Sequence, residues 1–247
     1  MELGMDKNAK IAIVTGASRG IGLAISKILI QHHYIVYGCS KNPENCNFTH
    51  ANFKLDKVDL RNPVQIQNWI ADLKKLDQIH ILIHNAGIGF FKPMEELFPS
   101  EIISMVNLHL TAPMLLVNSL LRNLKQQEGR IIFIGSIAGT KVSPWGSVYG
   151  ATKAGLIHFG RELFGELRKS GVKVTNIIPD LTNTDFYKDL NFRTDDDPRS
   201  FILAECIANS VINVINQREG TVISEVIIQP ERFKIKKKNN NLNQKLE

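Results

Sequence analysis

Short, unbroken apolar runs alternate along this chain with stretches in which apolar residues recur every three to four positions. Lys10–Thr15 (K-I-A-I-V-T), Tyr34–Ser40 and residues 53–58, 80–84, 131–134, 172–178 and 221–228 are runs of the first kind. Their length and their content of Ile and Val predict strands buried on both faces, the pattern of a parallel sheet. Between them Ile21, Ala24, Ile25, Ile28 and Leu29 fall on one helical face. Val64, Ile66, Ile70 and Leu73 do the same behind Pro63, a favoured first residue of a helix. Residues 100–127 carry a long helical pattern in which Pro113 predicts a kink or local break. Further helices are predicted from Tyr149 to Leu167 and over residues 200–217, whereas residues 42–52 show turn formers and no helical period. Strands alternating with helices in this way predict an α/β fold, a doubly wound Rossmann-type sandwich with helices on both faces of the sheet.

A chain of 247 residues with 43% hydrophobic content fits one large domain of that class, placed at residues 1–230, with a basic tail at 231–247. The formal charge of +6 is concentrated in that tail. From Arg232 onward six basic residues face the single acid Glu247, a net of +5, which leaves the body at +1. So even a balance argues against a nucleic-acid-binding face. The tail, with its asparagine run, reads as disordered and solvated, and a partner-binding role for it is the lesser reading. Cys39, Cys46 and Cys206 give no disulfide framework, and residues 1–10 are too polar for a signal-peptide core. With no apolar run near ~18 residues, no membrane span is predicted and a cytoplasmic protein is expected.

The first strand runs directly into Gly16-Ala-Ser18-Arg19-Gly20-Ile21-Gly22, and a helical pattern follows. In that context the glycines have distinct uses: Gly16 for the tight turn, Gly20 for backbone approach to a pyrophosphate, Gly22 for close helix packing. The second strand ends in Ser40-Lys41, where a carboxylate would stand if an unphosphorylated adenine ribose were being read. A hydroxyl with two cations, Lys41 and Arg19, suits a 2′-phosphate instead, so NADP(H) is predicted over NAD.

Ser136 is placed just beyond the buried strand 131–134, at the edge of the sheet where such folds bind ligands. Tyr149 and Lys153, four residues apart, share one face of a first helical turn. An ammonium beside a phenol would favour the phenolate, drawing Tyr149 toward the range of a general acid/base, while Ser136 hydrogen-bonds a substrate oxygen. No side chain here can carry hydride, so redox chemistry would need the cofactor. His80 and His84, four apart on a strand, lie about 13 Å apart at ~3.3 Å per residue, too far to share a metal; satisfied or exposed histidines are predicted.

Together these elements resemble the short-chain dehydrogenase/reductase family over about residues 10–229. The resemblance is carried by T-G-A-S-R-G-I-G at residues 15–22, Asp59-Leu60, Asn85-Ala86-Gly87, Asn107, Ser136 and Y-G-A-T-K at residues 149–153. It implies a seven-stranded parallel sheet, homodimers or homotetramers, and a ketone or aldehyde interconverted with an alcohol. It also implies roles: Tyr149 as acid/base, Lys153 lowering its pKa and holding the nicotinamide ribose, Ser136 orienting the carbonyl, and Asn107 completing a water-linked relay. Asp59 and Leu60 would meet the adenine, Asn85 to Gly87 its ribose, and Pro179, Thr182 and Thr184 the nicotinamide side. Asp180 stands where the family usually has glycine, which puts loop shape and substrate choice in question. The end of the chain also lacks the glycine-rich close of the family's 3-oxoacyl-carrier-protein reductases, which weakens that alternative. A dinucleotide sensor without turnover is a second alternative, disfavoured by the intact Ser136, Tyr149, Lys153 and Asn107. Residues 185–198, polar apart from Phe186, Tyr187, Leu190 and Phe192, read as a lid over a small or slender carbonyl compound. Trp145, Phe90 and Phe91 are candidate pocket walls.

Overall fold

The structure is a computed structural model and describes residues 9–238. Residues 1–8, the asparagine run and Lys245 lie outside the described residues. Strands β1 (Lys10–Thr15), β2 (Tyr34–Ser40), β3 (Phe53–Lys57), β4 (Ile81–His84), β5 (Arg130–Ile134), β6 (Lys173–Pro179) and β8 (Glu225–Ile228) form one parallel sheet in the order β3-β2-β1-β4-β5-β6-β8. Helices α1 (Gly20–Gln31) and α6 (Ala204–Ile215) cover one face, and α2 (Pro63–Leu73), α4 (Ala112–Gln126) and α5 (Ser147–Leu167) the other. The two cores meet at the sheet. Val14, Val36 and Ile132 point toward α1 and α6, whereas Ile13, Ile131 and Phe133 point away from them, as the two-residue period of a strand requires.

The strand order reverses between β1 and β4, so their C-terminal ends part and leave a crevice at the switch point. No helix joins β2 to β3; a single turn of 3-10 helix at Pro43–Asn45 precedes an irregular run into β3. Pro63 does start α2, and the Asn62 side-chain Oδ1 accepts from the N–H groups of Val64 and Gln65 to cap it.

Pro113 acts one turn earlier than its position suggests. Helix α3 (Pro99–Val106) passes into α4 through a π turn at Asn107–Thr111, where the Ala112 N–H reaches back five residues to the Asn107 carbonyl. Proline has no N–H to give the His109 carbonyl, and the wider turn absorbs that loss without breaking the axis. The resulting stretch Pro99–Gln126 is long and apolar enough by composition to cross a membrane. Here Leu116, Leu120 and Leu124 are buried within the domain core.

Two other expectations are corrected. His84 is buried and stacked on Phe133 at 4.9 Å, yet its Nε2 has no partner. Burial pushes its pKa down to about 3, so it stays neutral. Residues 232–237 stay exposed, as a solvated tail would, but they are not without structure: β9 (Ile235–Lys237) pairs antiparallel with β7 (Phe192–Thr194).

Candidate active site

A cleft of about 870 Å³ runs along the C-terminal ends of β1, β4, β5 and β6. At its floor lies the glycine turn after β1, where Gly16 and Gly20 both have left-handed backbones (φ 67° and 53°). A methyl on Gly22 would meet the Gly16 carbonyl oxygen at 2.2 Å, so α1 can start here only on glycine. Asn85 braces the turn from β4: its Nδ2 donates to the Thr15 and Gly16 carbonyls at 2.9 and 3.1 Å. In return, the N–H groups of Asn85 and Ala86 donate to Thr15 Oγ1. Helix α1 has no side-chain cap, which leaves its opening N–H groups available to an anion.

Of the sequence-predicted residues, Gly16, Ser18, Arg19, Gly20 and Ile21 line this cleft, and so do Ser40, Lys41, Asp59 and Leu60. Asn85, Ala86, Gly87, Ser136, Tyr149, Lys153, Pro179, Thr182 and Thr184 complete the set. Gly22 lies beneath the turn and Asn107 lies outside the cleft. The Asn107 amide is spent on the Arg61 carbonyl at 3.3 Å, and its oxygen accepts from Thr111 Oγ1 at 3.5 Å. At the adenine end Ser18 and Ser40 hydroxyls are 2.8 Å apart, and Asn42 N–H donates to Ser40. Arg61 grips the Asp59 carboxylate in a two-pronged contact, holding it below the usual carboxylate range. Asp185 lies 4.0 Å from Arg19. The sequence reading missed both of these partners.

The reacting groups meet because two glycines let the turn after β5 press against α5. A Cβ on Gly139 would sit 2.7 Å from the Lys153 carbonyl carbon, and one on Gly150 would sit 2.9 Å from the Ala138 carbonyl oxygen. Ser136 caps that turn by accepting from Ala138 N–H, and it lines the cleft beside Tyr149. Lys153 Nζ donates to the Ile134 carbonyl at 2.9 Å. Tyr149 and Lys153 are both buried, at 7% and 4% exposure. The lowering of Tyr149 by Lys153 that the sequence suggested is not what sets this phenol. Burial pushes the phenol up to about 12, with Ser136 pulling the other way, and pushes Lys153 down to about 8.

His109, which no motif or spacing singles out, completes this corner. Its Nε2 accepts from Ile88 N–H at 3.2 Å, so Nδ1 carries the proton toward Thr152 Oγ1 at 2.8 Å, and its ring stands edge-on to Tyr149. Burial holds it neutral.

On the far side, Phe91, Trp145, Phe186, Tyr187 and Phe192 line the cleft, whereas Phe90 and Leu190 do not. Asp180 carries none of the backbone strain its substitution for glycine suggested. It is absent from the left-handed residues, and its N–H donates to Ile228 O at 2.9 Å, extending the sheet. Its carboxylate accepts from Leu181 N–H and Gln229 Nε2 and lies 3.8 Å from Lys141.

These features define a class: an oxidoreductase built on a doubly wound sheet, with a proton-bearing side chain at its crest. The family model described as short chain dehydrogenase matches residues 10–194, and the chain belongs to that family. The chain is 31% identical to the 3-oxoacyl-(acyl-carrier-protein) reductase FabG of Escherichia coli, over 90% of this chain and 96% of that one. A metagenomic short-chain oxidoreductase in complex with NADP superposes with a TM-score of 0.76 at 27% identity, covering 90% of this chain and 97% of that one. A 4-hydroxyisoleucine dehydrogenase complexed with NADH gives 0.77 at 25%, with the same coverage.

Proposed function

We propose that this protein is an NADP(H)-dependent reductase of a ketone or aldehyde, with Tyr149 as proton donor. The observation that carries the reading is Tyr149, buried on one helical face with Lys153 and lining, with Ser136, the cleft that the glycine turn enters. The cradle fits a dinucleotide: left-handed glycines, an uncapped helix start, and a floor where Gly22 leaves no room for a methyl. Bound there, the reduced nicotinamide supplies the hydride. Ser136 and Tyr149 bind and orient the carbonyl oxygen, and Tyr149 delivers the proton to it. A pKa of about 12 keeps Tyr149 in the acid form at neutral pH, which suits the direction of reduction. Lys153 and Gly87 lie side by side, since a Cβ on Gly87 would sit 3.7 Å from Lys153 Nζ. Lys153 would hold the nicotinamide ribose there, and this neighbourhood moves Gly87 from the adenine ribose, where the resemblance put it, to the nicotinamide one.

For the cofactor, the paired Ser18 and Ser40 hydroxyls with Lys41 and Arg19 support a 2′-phosphate, and an NADP complex of a similar structure agrees. The NADH complex of another relative makes the preference a matter for measurement. Lys41→Ala should raise the Kd for NADPH about tenfold and leave that for NADH unchanged. The likeness to the E. coli enzyme supports a 3-oxoacyl thioester as the alternative substrate. Exposed Phe98, Ile103, Val106 and Met114 on the α3–α4 run support assembly into a homodimer or homotetramer. Three unpaired cysteines agree with a cytoplasmic location. The decisive experiment is NADPH oxidation against a panel of carbonyl compounds. Tyr149→Phe should abolish it while NADPH binding persists, and unchanged turnover in that variant would remove the mechanism.

A further inference from the structure

The chain beyond Gln229 returns across the mouth of the cleft. Arg232 N–H donates to the Arg199 carbonyl at 2.9 Å, β9 pairs with β7, and Lys238 N–H donates to the Asn191 carbonyl at 2.8 Å. Charges tie the same segment down. Asp196 takes Arg193 at 2.6 Å and Lys236 at 2.5 Å, Asp197 takes Arg199 and Arg232, and Lys238 Nζ caps the Tyr187 and Lys188 carbonyls. The strap itself, residues 232–238, lies past residue 194, where the family model ends.

Four residues of this strap line the cleft: Lys237, Lys238 and the two apolar ones, Phe233 and Ile235, which are 66% and 44% exposed. Lys141 ties the outer wall to the floor, lying 5.8 Å from the centre of the Phe233 ring and 3.8 Å from Asp180. Deeper in, the rings of Tyr149, Phe91, Phe192, Tyr187 and Phe186 form a closed circuit, each neighbouring the next at 5.0 to 5.9 Å between centroids. Phe192 belongs to the strand that β9 pairs with, so the strap holds a member of the circuit in place. A group lying against Tyr149 therefore meets ring faces and edges inside and Phe233 and Ile235 outside. Aromatic partners gain from such surroundings beyond the area they bury.

We propose that the strap 232–238 is the outer wall of the carbonyl pocket, and that it and the ring circuit around Tyr149 select a carbonyl compound bearing a flat aromatic group. This rests on reading the cleft as that of a reductase. The test uses the full chain carrying Phe233→Ala and Ile235→Ala, two exposed positions that no core depends on. In the NADPH assay the ratio of kcat/KM for 4-phenylbutan-2-one to that for butane-2,3-dione should fall about tenfold, chiefly through KM for the aryl ketone. Binding of phenylacetamide, which is not reduced, should weaken by a similar factor when followed through quenching of Trp145, the tryptophan that lines the cleft. An unchanged ratio with Tyr149-dependent turnover would overturn the strap's role and leave the reductase standing. Strap-dependent phenylacetamide binding without Tyr149-dependent turnover would support the wall and sink the reductase. Tighter binding of propionamide than of phenylacetamide by the unaltered protein would overturn the aromatic preference.

Discussion

Adding a single methyl group at Gly22 tests the geometry on which cofactor binding depends. In Gly22→Ala the new carbon would lie 2.2 Å from the Gly16 oxygen and 2.5 Å from Asn85 Nδ2, where ordinary contact starts at 3.4 Å. The shortfall of roughly 1 Å is against backbone and a braced amide, so no flexible side-chain tip can yield. Either α1 retreats from the turn or Asn85 releases its bonds to Thr15 and Gly16. Overpacking of this kind costs about 1–3 kcal/mol, and each hydrogen bond lost adds ~1 kcal/mol. A domain of this size should then lose about 5–10 °C in Tm, at ~2–4 °C per kcal/mol. The displaced N–H groups are those that would face the pyrophosphate, so the Kd for NADPH should rise about ten- to a hundredfold, at ~1.4 kcal/mol per factor of ten. Fluorescence titration with NADPH and a thermal melt measure both. An alanine variant that melts normally and binds NADPH within twofold of the parent would refute the cradle.

Gly165, on the same helix as the reacting pair, provides the contrast. A Cβ there meets nothing within 4 Å, so Gly165→Ala should stabilise the protein by about 0.5–1 kcal/mol, and a lower Tm would count against the packing of α5. Lys153 predicts a pH effect with a definite sign. Its folded pKa of about 8 lies below the ordinary 10.5, so between those values the unfolded chain binds the proton and the folded one does not. The burial cost is therefore fully present below pH 8 and is relieved as pH rises toward 10.5. Relative to Lys153→Met, the native protein should gain up to ~1.4 kcal/mol per pH unit between pH 8 and 10. Denaturant melts showing a pH-independent difference would contradict the depressed pKa of Lys153.

Much of this molecule could be read from sequence because its signals are local. The apolar runs that became β1, β2 and β4 to β6 needed no partner to declare themselves, and Gly16, Gly20 and Gly22 stand at the junction of strand and helix where each has one geometric use. The four-residue spacing of Tyr149 and Lys153 sufficed to put them on one face. Pro113 announced a disturbance but not its form, since a kink and a π turn relieve the same missing N–H.

What the sequence could not disclose depended on distance through space. Burial of Tyr149 and Lys153 reverses the expected direction of the tyrosine's shift, because desolvation is a property of the whole shell around the pair. His109, Arg61 and Asp185 enter the site only through contacts with residues far along the chain, or through turns whose path no periodicity records. Residues 232–238 looked like a solvated basic tail by composition. Arg232 and Lys234 instead find Asp197, Lys236 finds Asp196, and β9 finds the edge of β7. The sequence by itself determined the strands, the helices and the kind of chemistry, since hydrophobic period and side-chain type act within a few residues. Which groups are dry, which charges are paired and what walls the pocket were decided only when distant segments met.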